Sequence, residues 1–328
     1  MDTGTHVVMG VGLGGLAMLD PVVAHSPAAE QTVFAATLIG SLAPDFDTIF
    51  KLKDNAVYIK QHRGFSHSLP ALLIWSLLIW GTLVLFNPVP SELHLWLWSL
   101  AAVCLHVFVD LFNAYGTQAL RPFSRRWIAF GIINIFDPAI FFLHAAGIAF
   151  WALGLFPPGP TFLAVYTVLF FYYFWRYFAY KQVQERVISQ VPDAEYVNLS
   201  PTIRWTQWHA SAKTPDAFYV LQVSRNEAVT LDRFKPKPFS EIPKQVLEDE
   251  NVRAFLNFSP IYIWDETEYP DLREIRLVDL RYRNRAGHYP FVAIALLDEQ
   301  DHVVSSFTGW VHSERKLQKK LELQMDVN

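Results

Sequence analysis

The sequence predicts an α-helical integral membrane bundle, with four transmembrane helices and an N-terminal helical pair, followed by a small cytosolic α+β domain. Only 18% of the 328 residues are charged, against about 25% in a typical soluble protein. The charge is also unevenly divided, because residues 1–180 hold 8 Lys/Arg and 9 Asp/Glu whereas residues 181–328 hold 19 and 22. The first part contains apolar runs of about twenty residues, long enough to cross the hydrocarbon layer. We therefore place the boundary between the two domains at residue 180.

Composition also excludes several classes of protein. The net charge of -4 gives no sign of the basic surface that nucleic-acid binding requires. The lone cysteine, Cys104, excludes a disulfide framework and a cysteine-rich zinc motif. The opening MDTGTH lacks the basic segment of a signal peptide. Because the chain has only one cysteine, a metal would have to be bound by histidines and carboxylates.

The helices are predicted from hydropathy. The first two apolar segments, 6–24 and 31–43, are rich in Gly and Ala and form either a tightly packed hairpin or short spans. Four longer runs follow, with Trp and Tyr near their ends as in an aromatic belt. These predicted spans are 68–87, 93–112, 132–155 and 161–180.

Lys and Arg set the predicted orientation. They cluster in 51–63, in 121–126 and from Arg176 onwards, whereas the connections 88–92 and 156–160 have none. With four spans these clusters fall on one side, which the positive-inside rule makes cytoplasmic. The C-terminal domain is then cytoplasmic as well.

The C-terminal domain, 181–328, shows the alternation typical of strands. It lacks a glycine-rich phosphate loop, a nucleophile elbow and a zinc pattern. We expect helices near 242–256 and 313–325. The predicted strands of its mostly antiparallel sheet are 203–210, 217–223, 275–283, 289–297 and 302–310.

Ionisable residues at the ends of the apolar helices carry the functional prediction. An Asp at the centre of a membrane helix costs about 2.5–3.5 kcal/mol on insertion scales, so such residues usually face a partner, a cavity or a metal. These ionisable residues come from segments scattered over 130 residues, and the predicted topology places all of them at the cytoplasmic edge of the helical bundle. The set comprises His6, Asp45, Asp47, His62, His67, His106, Asp110 and Asp137.

The residue types suit a divalent metal. His106 and Asp110 lie one turn apart on one helix face, and imidazole with carboxylate is the ligand mix of catalytic zinc. Asp110 could bridge two ions, as in phosphoester cleavage. Asp45 is a ligand or the base that orients water, and Arg63 could bind a phosphate. These residues together predict a divalent metal site at this edge.

Each motif also has a simpler interpretation. The HxxxD pair could be an internal hydrogen bond or part of a proton relay. The stretch APDFD is compatible with a capped turn, and HRGFSH with an interfacial loop on lipid head groups. The metal site is predicted from their convergence on one edge.

Four stretches together resemble the membrane-bound metal-dependent hydrolases, a family of LexA-binding, inner-membrane-associated hydrolases. The stretches are MDTGTHVVMGVGLGGLA, GSLAPDFDTI, HRGFSHSLP and LHVFVDLFNAYGTQALRPFS, and the resemblance covers residues 1–180. Residues 181–328 resemble an extension carried by Bacillus-type members, with no role implied.

That family is in turn similar to zinc-dependent phospholipase C and the P1-type nucleases. The resemblance implies metal ligation by His6, Asp45, His67 and the pair His106 and Asp110. Two features depart from the phospholipase pattern: Gly116 stands where a further histidine is expected, and the distal HxxxE pair is missing. The processed N-terminal tryptophan is missing too. At most two metals are implied, and His62 or Asp137 would replace some of the missing ligands. With the resemblance we predict one or two zinc ions, bound by the ligands His6, Asp45, His62, His67, His106 and Asp110.

The sequence thus leaves three functional hypotheses. The first is a hydrolase that cleaves a phosphoester, of phospholipid or nucleotide type, at the cytoplasmic face of the cell membrane. The second is a membrane-anchored regulator or scaffold with a structural metal, whose cytosolic domain binds a protein partner. The third is an ion or proton transporter that uses His106, Asp110 and Asp137 as a relay, although these residues cluster at one edge.

Overall fold

The computed structural model describes residues 1–52, 59, 63–311, 313, 315, 317, 318 and 321. The chain divides into two compact units. The first comprises Met1–Asp47, Arg63–Gln182 and Ser200–Trp205. The second contains the remaining described residues.

The first unit is helical. Short 3₁₀ segments at Ala43–Leu52 and Phe65–His67 separate its N-terminal helices from the longer ones. Pro at the first or second position begins several helices, because the missing N–H needs no partner there. The helices are α1 (Thr3–Leu16), α2 (Pro21–Ala24), α3 (Pro27–Gly40), α4 (Leu69–Phe86), α5 (Glu92–Asp110), α6 (Pro138–Ala152) and α7 (Pro158–Gln190).

Glycines let α1 approach its neighbours closely, as their number in this segment predicted. A Cβ atom on Gly10 would lie 2.3 Å from Ser41 Oγ, and one on Gly15 would lie 2.3 Å from the buried ring of Phe162. Both distances are shorter than any van der Waals contact, so neither position has room for a side chain. The backbone of α1 therefore lies directly against side chains at the end of α3 and in α7. The predicted N-terminal helical pair is therefore present as α1 and α3.

Three of the four predicted spans are helices long and apolar enough to cross a membrane: α4, α5 and α7. The fourth, predicted over 132–155, is the shorter helix α6 of 15 residues. The helix begins only after Asp137, whose side chain accepts hydrogen bonds from the backbone N–H groups of Ala139 and Ile140 and so caps its N-terminus. The predicted number of four spanning helices is thus not confirmed.

The second unit contains two antiparallel four-stranded sheets, in the orders β1-β2-β3-β4 and β5-β6-β7-β8. Helices α8 (Lys244–Glu248) and α9 (Glu250–Phe258) confirm the helical prediction near 242–256. The apolar face of α9 packs with β7 around Phe255 and Phe291. The strands are β1 (Tyr196–Pro201), β2 (Trp208–Lys213), β3 (Phe218–Val223), β4 (Ala228–Phe234), β5 (Tyr262–Glu268), β6 (Arg273–Asp279), β7 (Phe291–Leu297) and β8 (Val303–Trp310).

The α+β class is confirmed, but three strands were not predicted: β1, β4 and β5. The segment predicted as a strand over 203–210 was wrong in its first half, because residues 203–207 form bends and a turn before β2 begins. Most of the helix predicted near 313–325 lies outside the described residues.

Candidate metal centre

Three segments of the helical unit bring four potential ligands together. Asp45 lies in the 3₁₀ segment after α3, and His67 ends the 3₁₀ turn before α4. His106 and Asp110 occupy the last turn of α5 and are buried. One ligand atom from each of these four residues lies within 4.8 Å of all the others. The convergence predicted for these four residues is thus present.

The distances suit a tetrahedral cation site. His67 Nε2 lies 3.6 Å from Asp45 Oδ1 and 3.5 Å from Asp110 Oδ2. His106 Nε2 lies 3.6 Å and 3.9 Å from the same two oxygens, and 3.3 Å from His67 Nε2. Four tetrahedral ligands at about 2.0–2.1 Å from a zinc ion are separated by about 3.4 Å. The side chains therefore need only small shifts to bind one ion.

Hydrogen bonds at the far side of each imidazole fix its tautomer. His106 Nδ1 lies 2.6 Å from the carbonyl oxygen of Ser41, to which it must donate. His67 Nδ1 lies 2.9 Å from Ser66 Oγ, whose hydroxyl donates to Asp47 at 2.5 Å, so that Ser66 accepts from the ring. Both Nε2 atoms then carry lone pairs and cannot donate to each other. This is the arrangement that outer partners impose on metal-binding histidines.

The electrostatics of the pair also favour a cation. Burial lowers the pKa of His67 to about 3, although the neighbouring Asp45 carboxylate opposes this shift. The imidazole is therefore neutral at pH 7, which is the form that binds metals. Asp45 Oδ1 and Asp110 Oδ2 are buried and accept no hydrogen bond within the described part of the chain. Two imidazole lone pairs facing two carboxylate oxygens that accept no hydrogen bond in the described part of the chain fit a bound divalent ion.

Two positive groups of the chain contact Asp110 from outside the ligand group. The amino group of Met1 donates to its Oδ1, and Arg63 Nη2 lies 3.3 Å from its Oδ2. A buried carboxylate without such partners would be strongly destabilising. Arg63 is held in place by its backbone, because its N–H donates to Asp47 and its carbonyl accepts from Gln118. Its φ of 58° is unusual for a side chain this large.

The other predicted ligands have different positions. His6 stacks on His106 with ring centroids 3.8 Å apart, and its Nε2 lies 3.5 Å from Asp110 Oδ1, beside the four-residue group. Asp47 does not face the ligands but orients Ser66. Asp137 caps α6 and accepts from the hydroxyl of Tyr172 at 2.7 Å. His62 lies outside the described residues.

Two positioning residues were missed from the sequence. Ser66 links His67 to Asp47, and the buried Asn113 donates to Asp110 Oδ1 at 3.3 Å. The side-chain oxygen of Asn113 also accepts from the backbone N–H of Tyr115 and Gly116, which holds the loop after α5. The sequence offered one signal for each of them: Ser66 directly precedes His67, and Asn113 follows Asp110 by three residues.

The absence of a histidine at Gly116 also has a structural reason. Gly116 has a φ of 68°, and a Cβ atom there would lie 2.1 Å from the carbonyl oxygen of Ile128. No side chain fits at this position, so the loop cannot carry the further ligand of the phospholipase pattern.

Replacing Ser66 with alanine is expected to weaken metal binding by about 10- to 100-fold, the usual cost of losing an outer-shell partner. The change removes the hydroxyl that fixes His67 and leaves the four ligands in place. Affinity can be measured by competition with a chromogenic chelator. Ser124→Ala, which removes a hydroxyl bonded to Arg126 N outside the ligand group, should leave the affinity unchanged. Equal affinities in all three proteins would contradict the assigned role of Ser66.

Comparison with known proteins gives three family matches. Residues 1–183 match the model described as YdjM inner membrane protein. Residues 192–234 match the YfhP middle domain, and residues 241–321 match the YfhP C-terminal alpha/beta plait domain. The first match contains all four residues of the ligand group.

One curated relative extends over nearly the whole chain. It is a protein of Bacillus subtilis (strain 168) described as "Uncharacterized protein YfhP", 51% identical over 326 residues. The alignment covers 98% of this chain and 99% of the relative. No solved structure matches significantly.

Proposed function

Since the chain belongs to the YdjM inner membrane protein family, we propose that it is a membrane-bound, metal-dependent hydrolase of a phosphoester. Family membership and the apolar helices α4, α5 and α7 make it a membrane protein. The observation that carries the proposal is the buried group of Asp45, His67, His106 and Asp110, in which two carboxylate oxygens accept no hydrogen bond in the described part of the chain. We propose zinc, because imidazole nitrogen with carboxylate oxygen at tetrahedral spacing is its usual environment.

The chain's own residues supply the remaining parts of a phosphoesterase site. A bound divalent ion polarises a phosphoryl oxygen and activates water. Arg63 carries a guanidinium next to the ligand group, where it can bind an anionic phosphoryl oxygen with two parallel hydrogen bonds. Asp45 is the ligand whose side chain retains solvent contact, at 20% exposed, so it is placed to accept a proton from an entering water molecule. The proposed substrate is a phosphoester of phospholipid or nucleotide type.

The proposal also includes the number of metal ions and the orientation of the protein in the membrane. We propose one ion at the four-residue group, and a second at His6 and Asp110 Oδ1 only if the amino group of Met1 leaves that oxygen. The Lys and Arg distribution favours the cytoplasmic side for this edge and for the C-terminal domain. The C-terminal domain would then be available to a cytosolic protein partner.

One observation favours a second candidate function, a membrane-anchored scaffold with a structural metal. The side chains of His67, His106 and Asp110 are completely buried, and four protein ligands are typical of structural zinc sites. In that case the ion would stabilise the bundle and no substrate would reach it.

Elemental analysis and an activity screen together distinguish the two candidates. The purified full-length protein is expected to contain about one zinc per chain, and to hydrolyse at least one member of a panel of phosphodiesters and phospholipids. Removal of the metal with a chelator should abolish the activity, and added zinc should restore it. A protein that contains metal, unfolds at lower temperature without it and hydrolyses no member of the panel would overturn the hydrolase proposal in favour of the scaffold.

A further inference from the structure

The segment after α5 forms a closed loop, residues 119–125, which we call the arginine loop. The N–H groups of Thr117 and Ile128 each donate to the other's carbonyl oxygen, at 3.1 and 2.9 Å, and these two bonds close the base of the loop. Next to them, Gln118 Nε2 donates to the carbonyl oxygen of Arg125 at 2.7 Å. Backbone and side-chain hydrogen bonds therefore both hold the loop in one conformation.

The arginine loop lies at the end of α4, one of the helices long and apolar enough to cross a membrane. The carbonyl oxygen of Ala119 accepts from the N–H of Leu69, 3.1 Å away, and Leu69 is the first residue of α4. Eighteen residues of α-helix extend about 27 Å, and the hydrocarbon layer is about 30 Å thick. With α4 across the bilayer, this hydrogen bond places the loop at the level of the lipid head groups.

Exposed apolar side chains surround this end of α4. Phe123 in the arginine loop is 86% exposed, and Leu120 of the same loop is exposed as well. Phe65, in the 3₁₀ turn that leads into α4, is also exposed. Segments that bind at a membrane interface bury such side chains at the boundary between head groups and acyl chains. The apolar residues of the loop therefore suit a lipid surface better than water.

The loop also carries two like charges, Arg121 and Arg125. Burial and the neighbouring guanidinium of Arg125 both lower the pKa of Arg121, but an arginine stays charged in proteins. Arg121 Nε is buried and has no hydrogen-bond partner in the described part of the chain, and neither arginine forms an ion pair with a described carboxylate. Because two neighbouring cations repel each other, an anion bound between them would relieve the repulsion.

We propose that the arginine loop docks on anionic phospholipids at the membrane interface, with a lipid phosphate between Arg121 and Arg125 and with Phe123 among the first acyl carbons. Guanidinium groups bind phosphate oxygens with two parallel hydrogen bonds. A soluble phosphate would leave Phe123 in water, and a zwitterionic lipid would bring its own cation to the two arginines. An anionic phospholipid accounts for both features. The proposal does not depend on hydrolysis, since the loop contains none of the four metal ligands.

Lipid retention by the full-length protein tests the choice of head group. Native mass spectrometry of the detergent-solubilised chain, with equal amounts of phosphatidylglycerol and phosphatidylcholine of matched acyl chains, should show about 25-fold preference for phosphatidylglycerol, because each arginine near a membrane surface contributes about fivefold. Arg125→Gln should lower the preference about fivefold, and the double variant Arg121→Gln/Arg125→Gln should bring the two lipids close to parity.

The matched control is Arg253→Gln, which removes the same charge from an exposed position of α9 and should keep the preference. Arg125 is exposed as well, so its single replacement still decides if the double variant fails to fold. Equal retention of the two lipids by the unaltered protein, or an unchanged preference in Arg125→Gln, would overturn the proposal and leave the two arginines to a soluble acidic partner.

A nitroxide label at the tip of the loop tests its location. The label is attached at Phe123→Cys in a Cys104→Ala background, which leaves one cysteine in the chain. In nanodiscs of phosphatidylglycerol, the label should be more accessible to oxygen than to a water-soluble nickel chelate. In phosphatidylcholine, or with both arginines replaced by glutamine, this order should be reversed.

The depth reference is the same label at Leu78→Cys, an exposed position near the middle of α4, which should favour oxygen in both lipids. A label at position 123 that favours the nickel chelate in both lipids would show that the loop does not reach the membrane. A label that favours oxygen equally in both would show insertion without recognition of the head group. Either result would overturn the proposed docking on anionic phospholipids.

Discussion

Replacing His106 with alanine is expected to abolish metal binding at the centre, lowering the zinc content from about one ion per chain to a trace. The imidazole is one of four ligands, and its loss removes a nitrogen whose lone pair Ser41 directs at the other three. Losing even an outer-shell partner weakens metal binding 10- to 100-fold, so a missing ligand should cost more than 100-fold. Zinc content after dialysis against a weak chelator, determined by elemental analysis, is the measurement.

The matched control is His144→Ala. His144 is also a completely buried histidine on an apolar helix, and its Nδ1 donates to the carbonyl of Ile140 in the same helix. Both variants therefore lose one buried imidazole and leave a similar cavity, which makes their effects on folding comparable. Undiminished zinc in His106→Ala, or equal loss from both variants, would show that the ligand group does not bind the ion.

The helical part of the fold was predictable because hydropathy determines it. Spans α4, α5 and α7 follow directly from apolar runs of sufficient length. The length of α6 was not predictable from hydropathy, because residues 132–136 are mostly apolar and yet form no helix. The helix starts after its N-cap residue, Asp137. From the sequence alone, an aspartate at this position could be either a metal ligand or a helix cap.

Strands of the C-terminal domain were harder to predict than the helices. Strand β5, with the sequence YIWDETE, buries only Trp264 and exposes its acidic half. Strand β4 likewise has no fully buried residue. Without a buried face there is little alternation to detect, so such edge strands are defined by their pairing with β6 and β3 rather than by their own composition.

The ligand group was predictable for a different reason. Ionisable residues are so costly in apolar helices that each of them requires a partner, and the topology limits which segments can meet. This argument identified Asp45, His67, His106 and Asp110. It did not show which of the two neighbouring aspartates, Asp45 or Asp47, faces the other ligands. The two carboxylates are two residues apart, and only the backbone of the 3₁₀ segment directs one to the ligands and the other to Ser66.

Replacing Arg63 with glutamine is expected to lower kcat/KM for the phosphoester about 100- to 1,000-fold while leaving the zinc content intact. Removing one preorganised charge that stabilises a developing anion usually costs this much. The metal should be retained, and bound no more weakly, because Arg63 Nη2 lies 3.3 Å from the ligand Asp110 and its positive charge opposes that of the ion. Activity on the substrate found in the screen and zinc content are measured on the same preparation.

Two further variants separate the charge of Arg63 from its structural role. Arg63→Lys keeps the charge but loses the two parallel donors, so it should recover only part of the activity. Arg126→Gln removes an exposed cation outside the ligand group and should behave as the unaltered protein. Because Arg63 is anchored by its own backbone N–H and carbonyl, side-chain replacement should not displace the loop. Loss of zinc in Arg63→Gln would instead assign this residue to holding Asp110, and unchanged hydrolysis would remove it from the substrate site.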